Sequence, residues 1–588
     1  MFKKAGFVLA LILLSACATH EPERAISAPV LTGSEFRDAA EGRIAWRDPT
    51  VPVNASTSTW IRAKILGFND FHGNLNQQFL DGRPVGGAAV LSAYLNSEFA
   101  EVDGRAIMVH AGDAVGASPP ESALMQDEPA IQFLNMMANE HCKADQLMNP
   151  RCNLVGTLGN HEFDEGIEEI MRLHYGGRHE DAASMSDDWS GVNFPYVLAN
   201  VIVTDTGKTL LPPYVIKEID GIAVAFIGAV VKNTPTIVPP SSVVGIEFLD
   251  EAEAINSYVP ELKARNVRAI IVTIHQGLNQ QDFGANAIVG QGSLTGPIID
   301  IVTALDDEID IVISGHEHQY TNVLVPTANG KQILLTQAYE NGTAYSDIDI
   351  ALDPATGDIV SKSATINTTW ADIEPGITPD PEVRAFVDTV NTAVKPLVSQ
   401  IVGVAAVTLP SGESSDGEIA LGNLLVDATY AAMDVDIAFM GSSLRADIDA
   451  GEILWGELFA VMPFGNHLVG MSLTGEQILQ VLNRQFDNRQ SPYFLQVAGM
   501  SYTWDAARPE GDRIIVALDA SGNPFDPEYL YRISVTNFFA TGGQGFDTLT
   551  KGTDREIGPQ ILDAVVDYIK AMPQPVSARI EGRIKRLN

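Results

Sequence analysis

The chain has 588 residues, of which 45% are hydrophobic, and a formal net charge of −38 at pH 7. This length exceeds what a single hydrophobic core usually organises, so we expect two domains. The apolar fraction is that of a globular protein and argues against a disordered chain or a polytopic membrane protein. The acidic charge argues against a nucleic acid polymer as partner, because no basic surface is available to neutralise its phosphates.

The N-terminus has the pattern of an export signal. Two lysines precede an apolar stretch at residues 5–14, which is too short to span a bilayer. The Leu-Ser-Ala-Cys sequence that follows, ending at Cys17, resembles a bacterial lipobox and implies a signal peptide at 1–16 with lipid attached to Cys17. This resemblance implies export and anchoring to the outer membrane, facing the periplasm or the cell surface. The alternative is an ordinary secretory signal in which Cys17 is incidental. The polar, proline-containing segment 17–58 is predicted to be a tether.

The other two cysteines, Cys142 and Cys152, flank a short polar loop. Export permits disulfide formation, so we expect a bridge that closes this loop. Two buried thiols are the alternative, since the sequence does not give the distance between them.

From Trp60 to about Leu352, apolar runs of strand length alternate with helical stretches, which predicts an α/β domain with layered sheets and flanking helices. Five of these runs end at potential metal ligands: Ile61–Phe68, Ala106–Val109, Leu154–Leu158, Ala269–Ile274 and Ile309–Ile313. Further strands are expected at Tyr196–Val203, Ile222–Val230, Gln332–Thr336 and Asp347–Leu352.

The segments that follow the five runs are rich in carboxylate, amide and imidazole groups. They read Asn69-Asp70-Phe71-His72-Gly73, Gly112-Asp113, Gly159-Asn160-His161-Glu162, His275-Gln276-Gly277 and Gly315-His316-Glu317-His318. In open α/β sheets ligands bind at the carboxyl ends of the strands. Oxygen and imidazole donors suit zinc, manganese and related divalent ions, so we predict two such ions as cofactors. A shared ligand must be a carboxylate, and Asp113 is the candidate.

A helix is predicted between the two domains. Asp380 can cap its N-terminus, Pro381 fits its first turn, and valines follow at helical spacing. We therefore divide the chain into a first domain at 59–370, a linker at 371–397 and a second domain at 398–588. In the second domain we expect helices at Leu421–Met433 and Thr474–Phe486, and strands at Ile437–Met440, Arg513–Leu518 and Tyr531–Thr536.

The order Asp-x-His, Gly-Asp, Gly-Asn-His-Glu, His and Gly-His-x-His resembles the calcineurin-like metallophosphoesterase superfamily. The segments beginning at Asn69 and at Gly159 resemble, more specifically, the 5′-nucleotidase/UDP-sugar hydrolase family, here in a bacterial lipoprotein form. The resemblance implies an N-terminal four-layer α/β/β/α metallophosphoesterase domain and a C-terminal α+β 5′-nucleotidase substrate domain. It also implies a metal-dependent phosphoric ester hydrolase.

The same resemblance implies a role for each site residue. Asp70, His72 and His318 would hold one metal, Asn160, His275 and His316 the other, and Asp113 would bridge them. Many family members have Gln where His318 stands, and imidazole is an equally competent ligand. His161 would donate to the transferring phosphoryl group, and Asp164 would orient its ring and favour the imidazolium.

In the second domain the resemblance assigns Phe464 and Phe538 to stacking on a nucleobase, and Arg445 to the substrate. Five positions depart from the family pattern, and two of them are Ser442 and Ser443, which stand where glycines are usual. Ser415 stands where an arginine is usual, Met440 where an asparagine is usual, and Gln544 where an aspartate is usual. The substrate pocket is therefore expected to differ from that of an ordinary 5′-nucleotidase.

We predict an extracytoplasmic enzyme that hydrolyses nucleotides to nucleoside and phosphate by in-line attack of a metal-activated hydroxide. Its partner is a small nucleotide or phosphate ester, and the membrane is reached through the N-terminal lipid only. One alternative is a related hydrolase acting on 2′,3′-cyclic nucleotides, UDP-sugars or another phosphate or sulfur ester. An alternative of another class is a non-catalytic surface binding protein on a phosphatase scaffold.

Overall fold

The structure is a computed structural model that describes residues 44–47, 60–179, 185, 188–280, 294–487 and 492–588. Cys17 and the predicted signal peptide lie outside the described residues. Among the helices of the described ranges, none is both long enough and apolar enough to cross a membrane.

Two six-stranded sheets form the first domain. The first sheet contains, in spatial order, Ile44–Arg47, Ile359–Thr368, Ala344–Leu352, Ile61–Phe68, Ala106–Ala111 and Leu154–Thr157. The second contains Tyr320–Pro326, Gln332–Ala338, Ile309–Ser314, Ala269–His275, Ile222–Val230 and Tyr214–Ile219. The last three strands of the first sheet are parallel, as are the four consecutive inner strands of the second. Their carboxyl ends therefore gather at one edge of each sheet.

Helices cover the outer faces of both sheets. The helices of this domain are Ala88–Glu101, Pro120–Ala123, Glu128–Met137, Ile167–Tyr175, Thr234–Ile237, Glu251–Ala264 and Ile298–Ala304. Short strands lie at Gln78–Leu80, Arg83–Val85, Val201–Val203, Lys208–Thr209, Ile246–Phe248, Asn279–Gln280 and Leu294–Thr295. Between the sheets is an apolar layer that includes Ile65, Phe226 and Ile271. A separate apolar cluster lies under the helices of each outer face. Three apolar layers between two sheets and two sets of helices make the four-layer α/β/β/α arrangement that the sequence predicted.

The structure differs from the sequence-based strands in two places. The run expected at Tyr196–Val203 is a strand only at Val201–Val203. Tyr196 forms an isolated bridge with Gly156, and the side-chain amide of Asn200 bonds the main chain of Val230 (2.6 and 3.0 Å). The segment expected to be a tether contains the edge strand Ile44–Arg47, which pairs with Ile359–Thr368. Cys142 and Cys152 are joined by a disulfide, as expected.

The interdomain helix runs from Pro381 to Val398. It begins where the sequence predicted, because the Asp380 carboxylate accepts the main-chain N–H groups of Glu382 (3.0 Å) and Val383 (3.2 Å). Val383, Val387 and Val390 pack into the core of the first domain. The helix also contacts Trp455–Val461 of the second domain, so it joins the two domains by packing as well as by chain connection.

A five-stranded sheet organises the second domain. Its spatial order is Leu495–Ala498, Ile437–Gly441, Leu530–Thr536, His467–Thr474 and Thr553–Gln560. The other strands are Ile401–Ala405, Gly451–Leu454, Met500–Trp504, Ile514–Asp519 and Ile584–Arg586. The helices are Ala420–Ala432, Trp455–Val461, Gly475–Arg484, Asn537–Ala540 and Ile561–Ala571. Two apolar clusters cover the two faces of the sheet, which gives the expected α+β domain.

Candidate metal centre

Carboxylate and imidazole side chains from five loops meet at the carboxyl ends of the parallel strands. Nε2 of His318 lies 3.2 Å from Oδ1 of Asp70 and 3.2 Å from Nε2 of His72. Oδ2 of Asp113 lies 3.0 Å from Nε2 of His275 and 3.7 Å from Nε2 of His72. Asp70, His72 and His318 form one group that could hold a metal ion, and Asp70, Asp113 and His275 form a second.

The remaining two predicted ligands lie beside these groups. The ring of His316 contacts that of His275, with centroids 5.2 Å apart, and the main-chain N–H of His316 donates to Asp70. Asn160 directly precedes His161, whose main-chain N–H donates to Oδ1 of Asp113 (2.9 Å). The structure therefore brings all seven predicted ligands to one place.

Five of the seven predicted ligands have left-handed backbone: Asp70, His72, Asp113, His316 and His318 have φ between 47° and 82°. This region is sparsely populated for residues with a Cβ, and such strain accumulates at functional sites. The surrounding packing must hold this geometry.

Glycines let the ligand loops approach one another. A Cβ on Gly159 would lie 2.1 Å from Oδ1 of Asp113, and one on Gly315 would lie 2.9 Å from Oδ2 of Asp70. Neither space admits a methyl group. Both glycines are therefore needed for close approach of the loops.

Main-chain carbonyls fix which ring nitrogen faces the centre. Nδ1 of His72 donates to the carbonyl of Gly116, and Nδ1 of His275 donates to the carbonyl of Ala111, both at 2.8 Å. In the neutral form of each ring this leaves a lone pair on Nε2, as metal coordination requires.

The centre has the electrostatics of a cation site. Burial lowers the pKa of His72 and of His316 to about 4, so both rings are neutral near pH 7. Burial also opposes a charge on His275, but Asp113 and Asp70 outweigh it and raise the pKa of His275 to about 9. Two buried carboxylates thus draw positive charge to this place, and a divalent ion can supply it in place of protons.

The side-chain amide oxygen of Asn160 is buried beside the candidate metal ligands. Oδ1 of Asn160 is inaccessible to solvent and has no hydrogen-bond partner among the described residues. Leaving such an atom unpaired costs free energy. Its presence, beside oxygen and imidazole donors, fits one or more divalent metal ions.

His161 and Asp164 lie against the ligand groups. The rings of His161 and His72 are 5.2 Å apart between centroids, and Nδ1 of His161 donates to Oδ2 of Asp164 at 2.6 Å. Burial acts to lower the pKa of His161, but Asp164 and Asp113 outweigh it and raise it. The pair is therefore suited to hold a protonated imidazole beside the metal ligands.

The sequence predicted no role for Glu162, although this residue is part of the Gly-Asn-His-Glu motif. Its buried carboxylate accepts main-chain N–H groups from Asp113 (3.0 Å), Ala114 (2.7 Å) and Gly159 (2.5 Å). It thus ties the loop of Asp113 to the loop of Asn160. No spacing signal in the sequence could have indicated the contacts to Asp113 and Ala114, because they join segments about fifty residues apart.

In the second domain, four neighbouring strands present loops at one sheet edge. Ile437–Gly441 and Leu530–Thr536 are parallel, and the strands on either side of them are antiparallel to them. The C-terminal ends of these two parallel strands and the N-terminal ends of the two flanking strands therefore lie at the same edge of the sheet. Tyr493, the segment 441–445, Phe538 and Phe464 all lie at this edge.

This edge faces the first domain. The turn Gly543–Gly545 contacts the helix Thr234–Ile237, which follows the strand Ile222–Val230. The guanidinium of Arg445 lies 5.6 Å from the ring centre of Phe464. Its charge also reaches the centre, where it is one of the smaller influences that lower the pKa of Glu340. Arg445 and Phe464 are thus brought together near the metal ligands.

Three of the departures from the family pattern, Met440, Ser415 and Gln544, differ in their surroundings. Met440 is buried in the apolar core of the second domain, so its side chain does not line the edge. Ser415 is exposed and donates to Asp416 at 3.3 Å, and Gln544 has left-handed backbone with φ 55°. The structure adds a pair that the sequence did not indicate: the hydroxyls of Ser443 and Tyr493 are 2.9 Å apart.

The four-layer fold and its edge of carboxylates, imidazoles and one amide define a metallophosphoesterase. Comparisons with known proteins agree. The Calcineurin-like phosphoesterase model matches residues 63–320, and the model of the 5′-nucleotidase C-terminal domain matches residues 401–551.

Known proteins resemble both domains. Endonuclease YhcR of Bacillus subtilis is 37% identical over 89% of this chain, which spans 41% of that protein's length. Cell wall protein Lmo0130 of Listeria monocytogenes is 32% identical, over 91% of this chain and 71% of its own length. The crystal structure of a 5′-nucleotidase precursor from Thermus thermophilus is 26% identical, with a TM-score of 0.71, covering 90% of this chain and 99% of that one.

The chain belongs to the family of calcineurin-like metallophosphoesterases that carry a 5′-nucleotidase C-terminal domain. It is a metal-dependent hydrolase of phosphoric esters, and its family uses divalent metals.

Proposed function

We propose that this protein is a 5′-nucleotidase-type phosphoesterase that uses two divalent metal ions to release phosphate from nucleotides outside the cytoplasm. The position of Asp113 carries the proposal. Its Oδ2 lies between Nε2 of His275 and Nε2 of His72, at 3.0 and 3.7 Å, where one carboxylate can serve two ions. The buried oxygen of Asn160, which has no hydrogen-bond partner in the part of the chain that the structure describes, would supply a further donor.

Seven residues would hold the two ions. Asp70, His72 and His318 would hold the first, Asn160, His275 and His316 the second, and Asp113 both. When bound, such a pair activates a water, neutralises phosphoryl charge and stabilises in-line displacement. Zinc and manganese both suit this donor set.

His161 has a separate role in the reaction. Hydrolysis forms a bond from water oxygen to phosphorus and breaks the bond to the ester oxygen, which leaves with a proton. Asp164 accepts from Nδ1 of His161 at 2.6 Å and so leaves Nε2 as the donor to the phosphoryl group. A positive charge here stabilises the negative charge that builds on the phosphoryl oxygens.

The loops of the second domain would hold the rest of the nucleotide. Phe464 and Phe538 both have partly exposed rings at the edge that faces the first domain, as base stacking requires. Arg445, beside Phe464, supplies a cation for the phosphate or the sugar. The hydroxyls of Ser443 and Tyr493 supply the polar contacts that the departures at Ser415 and Gln544 remove.

Export and lipid attachment at Cys17 complete the proposal. Nucleotides do not cross membranes until they are dephosphorylated, so an anchored enzyme outside the cytoplasm meets its substrate there. A similar protein is named a cell wall protein, which supports an extracytoplasmic location.

A second candidate is hydrolysis of a phosphodiester such as a 2′,3′-cyclic nucleotide. Two relatives favour it by name, an endonuclease and a trifunctional nucleotide phosphoesterase. The departures at Ser415 and Gln544 favour it as well, because they alter the part of the pocket that would distinguish substrates.

The test is phosphate release by the soluble fragment that begins at residue 44, measured with zinc, manganese or a chelator. The substrates are 5′-nucleotides, 2′,3′-cyclic nucleotides, UDP-glucose and an aryl phosphate. We expect metal-dependent turnover of 5′-nucleotides that His161→Ala lowers. Turnover of cyclic nucleotides alone would favour the second candidate. A folded, metal-loaded protein with no turnover on any ester would support the non-catalytic scaffold.

A further inference from the structure

One further carboxylate, that of Glu340, lies beside the metal ligands. It accepts from Nδ1 of His318, while Nε2 of the same ring faces Asp70 and His72 at 3.2 Å. Both members of the pair are mostly buried, with side-chain exposures of 19% for Glu340 and 22% for His318. The imidazole is thus held between a carboxylate on one nitrogen and the candidate metal position on the other.

The turn that carries Glu340 is built against the ligand segment. The residues on either side of it, Tyr339 and Asn341, have left-handed backbone, with φ 50° and 59°. The carbonyl of Tyr339 accepts from the side chain of Asn69 at 2.5 Å, and the main-chain N–H of Asn341 donates to the carbonyl of Asp70 at 2.7 Å. Glu340 therefore has a fixed position relative to Asp70.

The Nδ1 partner of His318 differs in kind from those of His72 and His275. His72 and His275 each donate Nδ1 to a main-chain carbonyl. His318 instead donates to a side chain, and its backbone is left-handed, with φ 55°. A carboxylate that accepts from a ligating histidine fixes the orientation of the ring and makes the ligating nitrogen more basic.

We propose that Glu340 is a positioning residue for the first metal ion, which acts by orienting His318 and strengthening its Nε2 as a ligand. The inference rests on the proposed dinuclear centre but not on the proposed substrate. Glu340 touches neither the substrate nor the reacting atoms in this role. Replacing Glu340 should therefore change the metal affinity directly and the turnover rate only as a consequence.

The experiment measures metal binding by the apoprotein. Zinc or cobalt is titrated in competition with a chromophoric chelator, and the cobalt absorption spectrum reports the geometry of the ligands. We expect the unmodified protein to bind two ions. Glu340→Ala should weaken one of them by about 10–100-fold and leave the other unchanged. Glu340→Gln keeps a hydrogen-bond acceptor but loses its charge, so its metal affinity should lie between that of the unmodified protein and that of Glu340→Ala.

Glu317→Ala is the matched control. Glu317 stands between His316 and His318 and is exposed, so its replacement removes the same charge from the same region without removing a contact to a ring. Thermal unfolding of each apoprotein would show that the variants fold. Equal loss of affinity in Glu317→Ala and Glu340→Ala would mean that only net charge matters, which would overturn the inference.

A double-mutant cycle isolates the route of action. In a His318→Ala background, Glu340→Ala should cause no further loss of affinity, because the partner through which it acts is gone. The same loss in both backgrounds would contradict a role through His318. If the unmodified protein binds no metal, the proposed function fails as well. If it binds two ions and Glu340→Ala binds both equally well, only the present inference fails.

Discussion

Asp164 lies against the ring of His161, with Oδ2 2.6 Å from Nδ1, while the main-chain N–H of His161 donates to the candidate bridging ligand Asp113. The histidine is thus tied at its backbone to the metal centre and at its ring to a carboxylate outside that centre. This arrangement holds one proton donor beside the candidate metal ligands, where the proposed function puts the phosphoryl group. It supports a role in turnover that metal binding alone does not supply.

Asp164→Asn should lower kcat by roughly 10²-fold, because an amide can still orient the ring but does not favour the imidazolium. KM should change little, since Asp164 does not contact the substrate in this scheme. The measurement is steady-state phosphate release from a 5′-nucleotide at saturating metal. Glu168→Gln removes an exposed charge from the neighbouring helix and should leave kcat unchanged. An unaltered kcat in Asp164→Asn would contradict the proposed role of the pair.

Gly159→Ala should destabilise the protein by about 1–3 kcal/mol and abolish binding of at least one metal ion. The added Cβ would lie 2.1 Å from Oδ1 of Asp113, so the loops that carry Asp113 and Asn160 must separate. Urea unfolding and metal titration would measure the two effects. Gly412→Ala is the control, because a Cβ at Gly412 meets no atom within 4 Å. Normal metal binding by Gly159→Ala would show that the loops can adjust.

Phe464→Ala and Phe538→Ala should each raise KM for a 5′-nucleotide by about 10–100-fold, as expected for the loss of stacking on a base. The kcat/KM for a phosphate ester without an aromatic ring should not change, because such an ester has nothing to stack. Phe79→Ala, an exposed aromatic in the first domain, serves as the control. If both esters lose activity equally, the two rings support the fold rather than the substrate.

Lys217→Met should stabilise the protein near neutral pH. Lys217 is fully buried, its ammonium donates to the carbonyl of Asn149 at 3.2 Å, and burial lowers its pKa from 10.5 to about 7. Between these two values the unfolded chain binds more protons than the folded one, so the contribution of Lys217 to stability rises with pH. Below pH 7 both states are charged and the full cost of burial applies, at about 1.4 kcal/mol for each pKa unit.

The gain in stability from Lys217→Met should therefore be largest below pH 7 and should shrink as the pH approaches 10.5. Urea unfolding across this range measures it. Lys208→Met, at an exposed lysine on a nearby strand, should show no such trend. A pH-independent difference between Lys217→Met and the unmodified protein would show that the buried amine does not titrate in this range.

The sequence by itself determined the strands that carry the candidate ligands. The apolar runs before Asp70, Asp113, Asn160 and His316 each formed a strand that ends two or three residues before that residue, and the run before His275 formed a strand that ends at it. The position and length of an apolar run are local properties of the sequence. They therefore predict where a strand lies and where it ends. The cap at Asp380 is local in the same sense, because its partners lie two and three residues away.

The tertiary structure alone decided the contacts between distant segments. Glu340 is one of 75 acidic residues, and no spacing distinguishes it, since it meets His318 only after two neighbouring strands of the second sheet are paired. Glu162 binds three main-chain N–H groups from two loops, and Tyr493 meets Ser443 across a sheet edge, for the same reason. Met440 shows the converse: its place in the motif suggested a pocket residue, but the alternation of the strand turns its side chain into the core. Local sequence sets the periodicity of each element, whereas packing decides which elements meet and which side chains face one another.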